Sequence, residues 1–372
     1  MGLGLIDPRL SSEDGFTGIQ RRFVDLVLQE RWFLVILSAC FAVAGVTYDQ
    51  PHIAMWVGFV FAGYAVIAND SIQTIGTFIA SNRQRPWWVL WLFIGGVMLA
   101  TVAYSFFTHG GDVTYGRLSS KGFAEAPKSF AYLQITGPLF LLILTRLRMP
   151  VSTTFLLLTS FATDPGGVGK VMSKSISGYV LAFTVAITLW LVLGRVMDRR
   201  FKGEPHRAWH VGQWIATTFL WAMWLMQDAA NVAVFLPRKL SGLEFAVFAG
   251  VLFAGLGILF RLRGDKIQQV VEEKASVVDV RHATVIDLTY GGILWVFKVI
   301  SNIPMSTTWV FIGLLAGREI AINVTRAKQE RRPRREIARL IVRDLAFVTL
   351  GLVISLIIAV MVNPRLAENL FH

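Results

Sequence analysis

"IANDSIQTIGTF", residues 67–78, places a carboxylate in the middle of a long apolar run. Asp70 is the sole formal charge between Pro51 and Asn82, and Asn69, Ser71, Gln73 and Thr77 lie close to it. An ionised group at membrane depth costs at least a few kcal/mol, so such a residue faces a polar interior and marks a functional site. The 32 residues from Pro51 to Asn82 would reach about 48 Å as one straight helix, against a hydrocarbon core of roughly 30 Å. A broken helix is therefore expected, with Gly76 as its breaking point.

The pattern occurs twice. In "WLMQDAANVAVFLP" (224–237), Asp228 is the sole charge between Arg207 and Arg238, with Gln227 before it and Asn231 after it. Pro237 is expected to end that helix. Downstream of the first island lies "RMPVSTTFLLLTSFA" (148–162), and downstream of the second "NIPMSTTWVFIGLLAG" (302–317). Asp70 precedes Ser152 by 82 residues and Asp228 precedes Ser306 by 78. Two motifs in the same order at nearly equal spacing indicate an internal duplication.

The surrounding composition is that of a membrane protein. The 372 residues are 54% hydrophobic and only 16% charged, with a mean hydropathy of +0.56, where soluble domains carry roughly 25% charged residues. Apolar spans are expected near 32–48, 53–81, 87–107, 130–148, 151–163, 178–197, 209–237, 245–260, 284–301, 304–322 and 345–362. With the N-terminus inside, 26 of the 36 Lys and Arg residues fall on inner segments. That bias orients the chain with its N-terminus in the cytoplasm and its C-terminus outside. It also accounts for the net charge of +12 without invoking nucleic acid.

The fold class that follows is an all-α polytopic membrane protein with two inverted-topology repeats, broken or hairpin helices, and one extra N-terminal helix. Five crossings per copy make the second copy enter from the opposite side, an arrangement used by secondary transporters. The expected divisions are 1–50 (an amphipathic segment and the extra helix), 51–197 (repeat 1), 198–208 (a cytoplasmic linker), 209–362 (repeat 2) and 363–372 (a tail). An interfacial helix over 16–31 and the basic stretch 326–343 are read as cytoplasmic membrane anchors.

Pro150 and Pro304 each stand just before Ser-Thr-Thr, which suits a helix start, where backbone N–H groups lack partners and favour anions. Ser152, Thr153, Thr154, Ser306, Thr307 and Thr308 would add hydroxyl donors around an oxyanion, with Asp70 and Asp228 beside it. Asn69, Asp70, Gln73, Thr77, Gln227, Asp228 and Asn231 would supply oxygen ligands to a hard cation, or the carboxylates would take up a proton. Hydrogenphosphate has a proton to donate to a carboxylate and sulfate has none. Asp287, Lys298 and the Arg318–Glu319 pair are read as structural or interfacial.

Other chemistry finds no pattern. The single cysteine, Cys40, excludes an intrachain disulfide, and no zinc-ligand spacing occurs among the six histidines. "TDPGGVGKVMSK" (163–174) lacks the Gly and Ser/Thr that a phosphate loop needs, and there is no nucleophile elbow. Charges throughout the first 31 residues argue against a cleavable signal peptide. No enzymatic activity and no cofactor are expected; the competing readings are a non-transporting sensor or scaffold and an intramembrane enzyme acting on a phosphate-bearing lipid.

"AND…GT" (68–77), "PVSTT" (150–154), "QDAAN" (227–231) and "PMSTT" (304–308) resemble the inorganic phosphate transporter (PiT) family. The resemblance implies cation-coupled uptake of inorganic phosphate with Na⁺ or H⁺, and Ser-Thr-Thr segments on hairpin-like helices beside the substrate. The chain departs from the family pattern at Gln73 and Gln227, where Asn is usual, and at Val234-Phe235, where the family has Gly-Pro. Phe155 and Trp309 stand where His often follows Ser-Thr-Thr. The family also includes sulfate permeases, so phosphate and sulfate both stand as substrates. The expected setting is the plasma or inner membrane, with lipid as partner and a homodimer as an admissible assembly.

Overall fold

A computed structural model describes residues 30–119, 123–147, 151–162, 165–201, 203–262, 279–300, 303–325 and 333–362. The 16–31 segment lies outside these residues except at its last two positions, as do Pro150, the start of the 326–343 stretch and the C-terminal tail. Among the described residues the regular elements are all helical.

The order is α1 (Arg31–Thr47), α2 (Pro51–Val66), α3 (Ile72–Ser81), α4 (Trp87–Thr108), α5 (Tyr132–Arg146), α6 (Pro165–Arg200), α7 (Arg207–Ala233), α8 (Gly242–Arg261), α9 (Val280–Ile300), α10 (Thr307–Thr325) and α11 (Arg334–Val362). Among the described residues six apolar stretches, α2 with the turn that follows it (Pro51–Ser71), α4, α8, α9 and parts of α6 and α11, are long enough to cross a bilayer. The protein is a polytopic, all-α integral membrane protein. Helix α7 carries the polar residues of the second island, and α10 begins at Thr307, within the second Ser-Thr-Thr motif.

The break in the first long run is not at Gly76. It is a widened, π-type turn at Ile67–Ser71, between α2 and α3. Such a turn inserts an extra residue into the helix, a device common at functional sites, and here the inserted turn contains Asn69 and Asp70. With the register already shifted there, α3 runs unbroken through Gly76. The second run behaves as expected, α7 ending at Ala233 just before Pro237.

The 151–163 span is also corrected. Its helical part is two short turns, Thr154–Leu158 and Thr159–Phe161, together about 12 Å long and too short to cross alone. Gln134, near the start of α5, donates to the carbonyl of Ser160 at 2.9 Å. At the other end of α5, Thr145 donates to Asn69, which in turn donates to the carbonyl of Val151. Helix α5 and the 154–161 segment therefore form a hairpin with Ser152 and Thr153 near its turn. Helix α6 begins well before the expected 178, because its polar residues are used internally: Ser175 accepts from the backbone N–H of Ser306 and Lys174 donates to the carbonyl of Ile303.

Glycines set the closest approaches. A Cβ at Gly313 would lie 2.4 Å from the carbonyl oxygen of Tyr179, and one at Gly317 2.4 Å from that of Phe183. The Gly-x-x-x-Gly spacing brings α10 and α6 into backbone contact, as in helix pairs whose association depends on packing rather than on water. Segments that the charge bias assigns to one side also meet. Arg238 donates to the carbonyls of Phe123 and Glu125, while Arg281 donates to those of Phe201 and Gly203.

Candidate functional site

Asp70 and Asp228 are buried, as are all six Ser-Thr-Thr residues and the four flanking amides. Asp70 Oδ1 accepts from Asn69 Nδ2 at 2.6 Å and from Gln73 at 3.4 Å, and its Oδ2 accepts from the Thr153 hydroxyl. Asp228 Oδ1 accepts from Asn231 Nδ2 at 2.6 Å. The same amide nitrogen faces Thr153 Oγ1 at 3.0 Å and Thr154 Oγ1 at 3.2 Å. Asn69 Nδ2 likewise serves both Asp70 and the carbonyl of Val151.

The two Ser-Thr-Thr motifs engage each other reciprocally. Thr154 donates to the carbonyl of Met305 at 3.1 Å, and Thr308 donates to the carbonyl of Val151 at 3.4 Å. Ser152 Oγ accepts from the N–H of Phe155 and Ser306 Oγ from the N–H of Trp309. Each serine thus satisfies a first-turn backbone N–H, Ser306 from the N-cap position of α10. The carboxylates follow the same exchange, Thr153 and Thr308 flanking Asp70 while Thr307 and Thr154 flank Asp228.

The two carboxylates differ in how fully they are satisfied among the described residues. Asp70 has donors on both oxygens, with Ser71 Oγ next to it unpartnered, whereas Asp228 Oδ2, Gln227 Oε1 and Asn231 Oδ1 are buried acceptors with no hydrogen-bond partner among those residues. Thr307 and Thr154 lie beside Asp228 without completing a bond to Oδ2. Each unmet buried acceptor costs about 1–3 kcal/mol, and these three fall within about one helical turn of α7. Oxygen acceptors without donors are the chemistry of a hard-cation site, since such a cation takes oxygen ligands and supplies the missing positive charge.

One expected ligand lies elsewhere. Thr77 donates to Asp287 Oδ1 at 2.6 Å, opposite Thr217, which donates to Oδ2 at 2.5 Å. Two helical turns separate Thr77 from Asp70, enough to carry it to this separate cluster. Asp287 is thus a third buried carboxylate, hydrogen-bonded by two hydroxyls. Residue spacing on a single helix could not reveal it, because its partners come from α3 and α7.

Arg117, in the loop between α4 and α5, also approaches the second island, its Nε donating to the carbonyl of Met226 at 3.2 Å. Burial lowers its guanidinium to about 10, with Asp228 opposing the shift, so it stays charged at neutral pH.

No family model matches the chain, and no curated protein matches it. A solved structure described as the sodium-dependent phosphate transporter aligns with 86% of this chain and 99% of its own, at a TM-score of 0.53 and 15% identity. The two chains share a fold. At that identity the likeness concerns backbone architecture, and the chemistry of the site rests on the side chains of this chain.

Proposed function

We propose that this protein is a secondary transporter that couples inorganic phosphate to a cation, Na⁺ or H⁺, by alternating access. The observation that carries the reading is the unbroken link from Asp70 through Thr153 and Asn231 to Asp228, seated between the two Ser-Thr-Thr motifs. It supports a single pocket in which hydroxyl donors face an oxyanion and carboxylate and amide oxygens face a cation. The reciprocal hydrogen bonds support two inverted repeats, because exchanging the motifs reproduces the same contacts. The solved phosphate transporter of the same fold supports the substrate class.

Cation coupling rests on the unpartnered oxygens of Gln227, Asp228 and Asn231. With the cation bound, the local negative charge falls and an anion can approach. Hydrogenphosphate suits Asp228 better than sulfate does, since it brings a proton to an oxygen that has no donor. Radiolabelled phosphate uptake into proteoliposomes tests the reading. Uptake is expected to exceed equilibrium with an imposed Na⁺ or proton gradient, and excess unlabelled phosphate is expected to compete at least about tenfold better than sulfate. Equal competition would assign sulfate or another tetrahedral oxyanion to the pocket, and uptake that never exceeds equilibrium would contradict coupling.

A further inference from the structure

The two repeats tie their acidic islands to their Ser-Thr-Thr tips in different ways. In the first, Asn69, the amide just before Asp70, donates directly to the carbonyl of Val151 at 2.6 Å, one residue before Ser152. In the second, the amide just before Asp228 is Gln227, and its Nε2 donates instead to the carbonyl of Leu294 on α9 at 3.2 Å. One helical turn earlier on α9 stands Tyr290, buried, whose hydroxyl donates to the carbonyl of Thr307 at 3.0 Å. A route of two hydrogen bonds through α9 thus takes the place of the direct bond from amide to tip.

The route is taut. Tyr290 and Leu294 are four residues apart, about 6 Å along a helix, so both contacts fall on one side of α9. Helix α9 has little room to slide on α7, because a Cβ at Gly291 would lie 2.7 Å from the Phe219 ring and 3.1 Å from the backbone of Leu220. Thr307 is the first residue of α10, and its carbonyl already takes a helical N–H four residues on. Tyr290 therefore occupies that oxygen's second lone pair. A buried phenol needs a partner, and here the partner is the tip residue that flanks Asp228. The position matching Tyr290 in the first repeat, offset as Ser152 is from Ser306, is Thr136, whose hydroxyl bonds back to Tyr132 of its own helix at 3.0 Å. The route belongs to the second repeat alone.

We propose that Tyr290 is a positioning residue that couples the cation half of the second island to the anion-binding tip at Ser306, Thr307 and Thr308. The inference rests on the transport reading for the identity of its ligands. A cation on Gln227 Oε1 polarises that amide and strengthens the Nε2 bond to Leu294. Helix α9 passes the change on as a rigid body, and the Tyr290 hydroxyl fixes the backbone of Thr307 at the mouth of α10. Tyr290 acts through Thr307 and needs no contact with either ligand.

The test is equilibrium binding of inorganic phosphate to the purified full-length protein, without and with saturating Na⁺ and at two pH values, with sulfate as a second probe. In the wild type the Kd is expected to fall at least tenfold as the coupling cation is added. Tyr290→Phe keeps the ring and removes only the hydroxyl. Its Kd without added cation is expected to stay within threefold of wild type, while the cation-driven fall shrinks below threefold. Thr136→Val, the matching change in the first repeat, is expected to keep the full response. Lost packing alone would lower the melting temperature without altering the ratio of the two Kd values, so that ratio separates positioning from structure. If Tyr290→Phe does not elute as a monodisperse species, Tyr290→Met, whose flexible side chain fills the same space, carries the comparison. A wild-type ratio in the Tyr290 variant overturns the inference and leaves the transport reading standing, and an equal loss in Thr136→Val overturns it too. A wild type whose Kd for both anions ignores both cations overturns the inference together with cation coupling. A wild type that binds sulfate alone changes the substrate, and the same ratio measured with sulfate then decides the role of Tyr290.

Discussion

Asp70 and Asp228 are joined through only two side chains, Thr153 and Asn231, although they lie on different helices far apart in sequence. Thr153 donates to one carboxylate and accepts from the amide that serves the other. Any change in charge or ligation at one aspartate is therefore felt at the second through three hydrogen bonds, inside a buried site where electrostatic effects are strong.

Asp70→Asn and Asp228→Asn are each expected to abolish gradient-driven uptake while the purified variants remain folded, as judged by helical circular dichroism and monodisperse elution. Uptake at the wild-type rate in either variant would remove that aspartate from the coupling site.

Thr153 is the hinge of the link. Thr153→Val removes the donor to Asp70 and the acceptor for Asn231, and hydrogen bonds to charged groups are worth about 1.5–3 kcal/mol. A rise of about tenfold or more in the phosphate KM is expected, with Thr153→Ser close to wild type. A Ser variant as poor as Val would mean that packing, not the hydroxyl, matters there.

The amides of the first island are unequal. Asn69 makes two 2.6 Å bonds, whereas Gln73 reaches Asp70 at 3.4 Å. Asn69→Ala should therefore shift the cation concentration for half-maximal uptake more than Gln73→Ala does. The reverse order would place the cation beside Gln73.

Thr77→Val is expected to act on stability. It leaves Asp287 Oδ1 without its hydroxyl donor, at a cost of about 1–3 kcal/mol, so the melting temperature should fall while cation dependence of uptake holds. A changed cation dependence at unchanged melting temperature would tie the Asp287 cluster to coupling.

Gly317→Ala probes the α6–α10 contact. Its Cβ would meet the Phe183 carbonyl at 2.4 Å, backbone against backbone, and overpacking of this kind costs about 1–3 kcal/mol. A drop in melting temperature is expected. An unaffected melting curve would show that the helices separate at no cost.

Much of the buried polar cluster around Asp70 and Asp228 was legible in the sequence because charge is so scarce there. One aspartate per long apolar run, with amides and a Ser-Thr-Thr segment at matching distances, leaves few alternatives for a buried polar site. What stayed hidden depends on contacts between elements. The widened turn at Ile67–Ser71 has no proline or glycine to mark it, and Gly76 drew the break by residue preference alone. The limits of α6 were obscured because Lys174 resembles a helix-end charge until the Ile303 carbonyl supplies its partner. Arg117 sits in a polar loop, and only the fold carries it to Met226 and Ile303. Thr77 shares its helix with Asp70, but two turns take it to Asp287.

The central claim, that cation and oxyanion sites share one pocket, is tested most directly by equilibrium binding of phosphate to the purified protein, titrated with Na⁺ at two pH values. Linkage requires a bound cation that favours the anion to lower its apparent Kd. The account predicts at least a tenfold fall in Kd as Na⁺ or H⁺ rises, and the loss of that dependence in Asp228→Asn. A phosphate Kd that ignores both cations, or that keeps its cation dependence in Asp228→Asn, would contradict it.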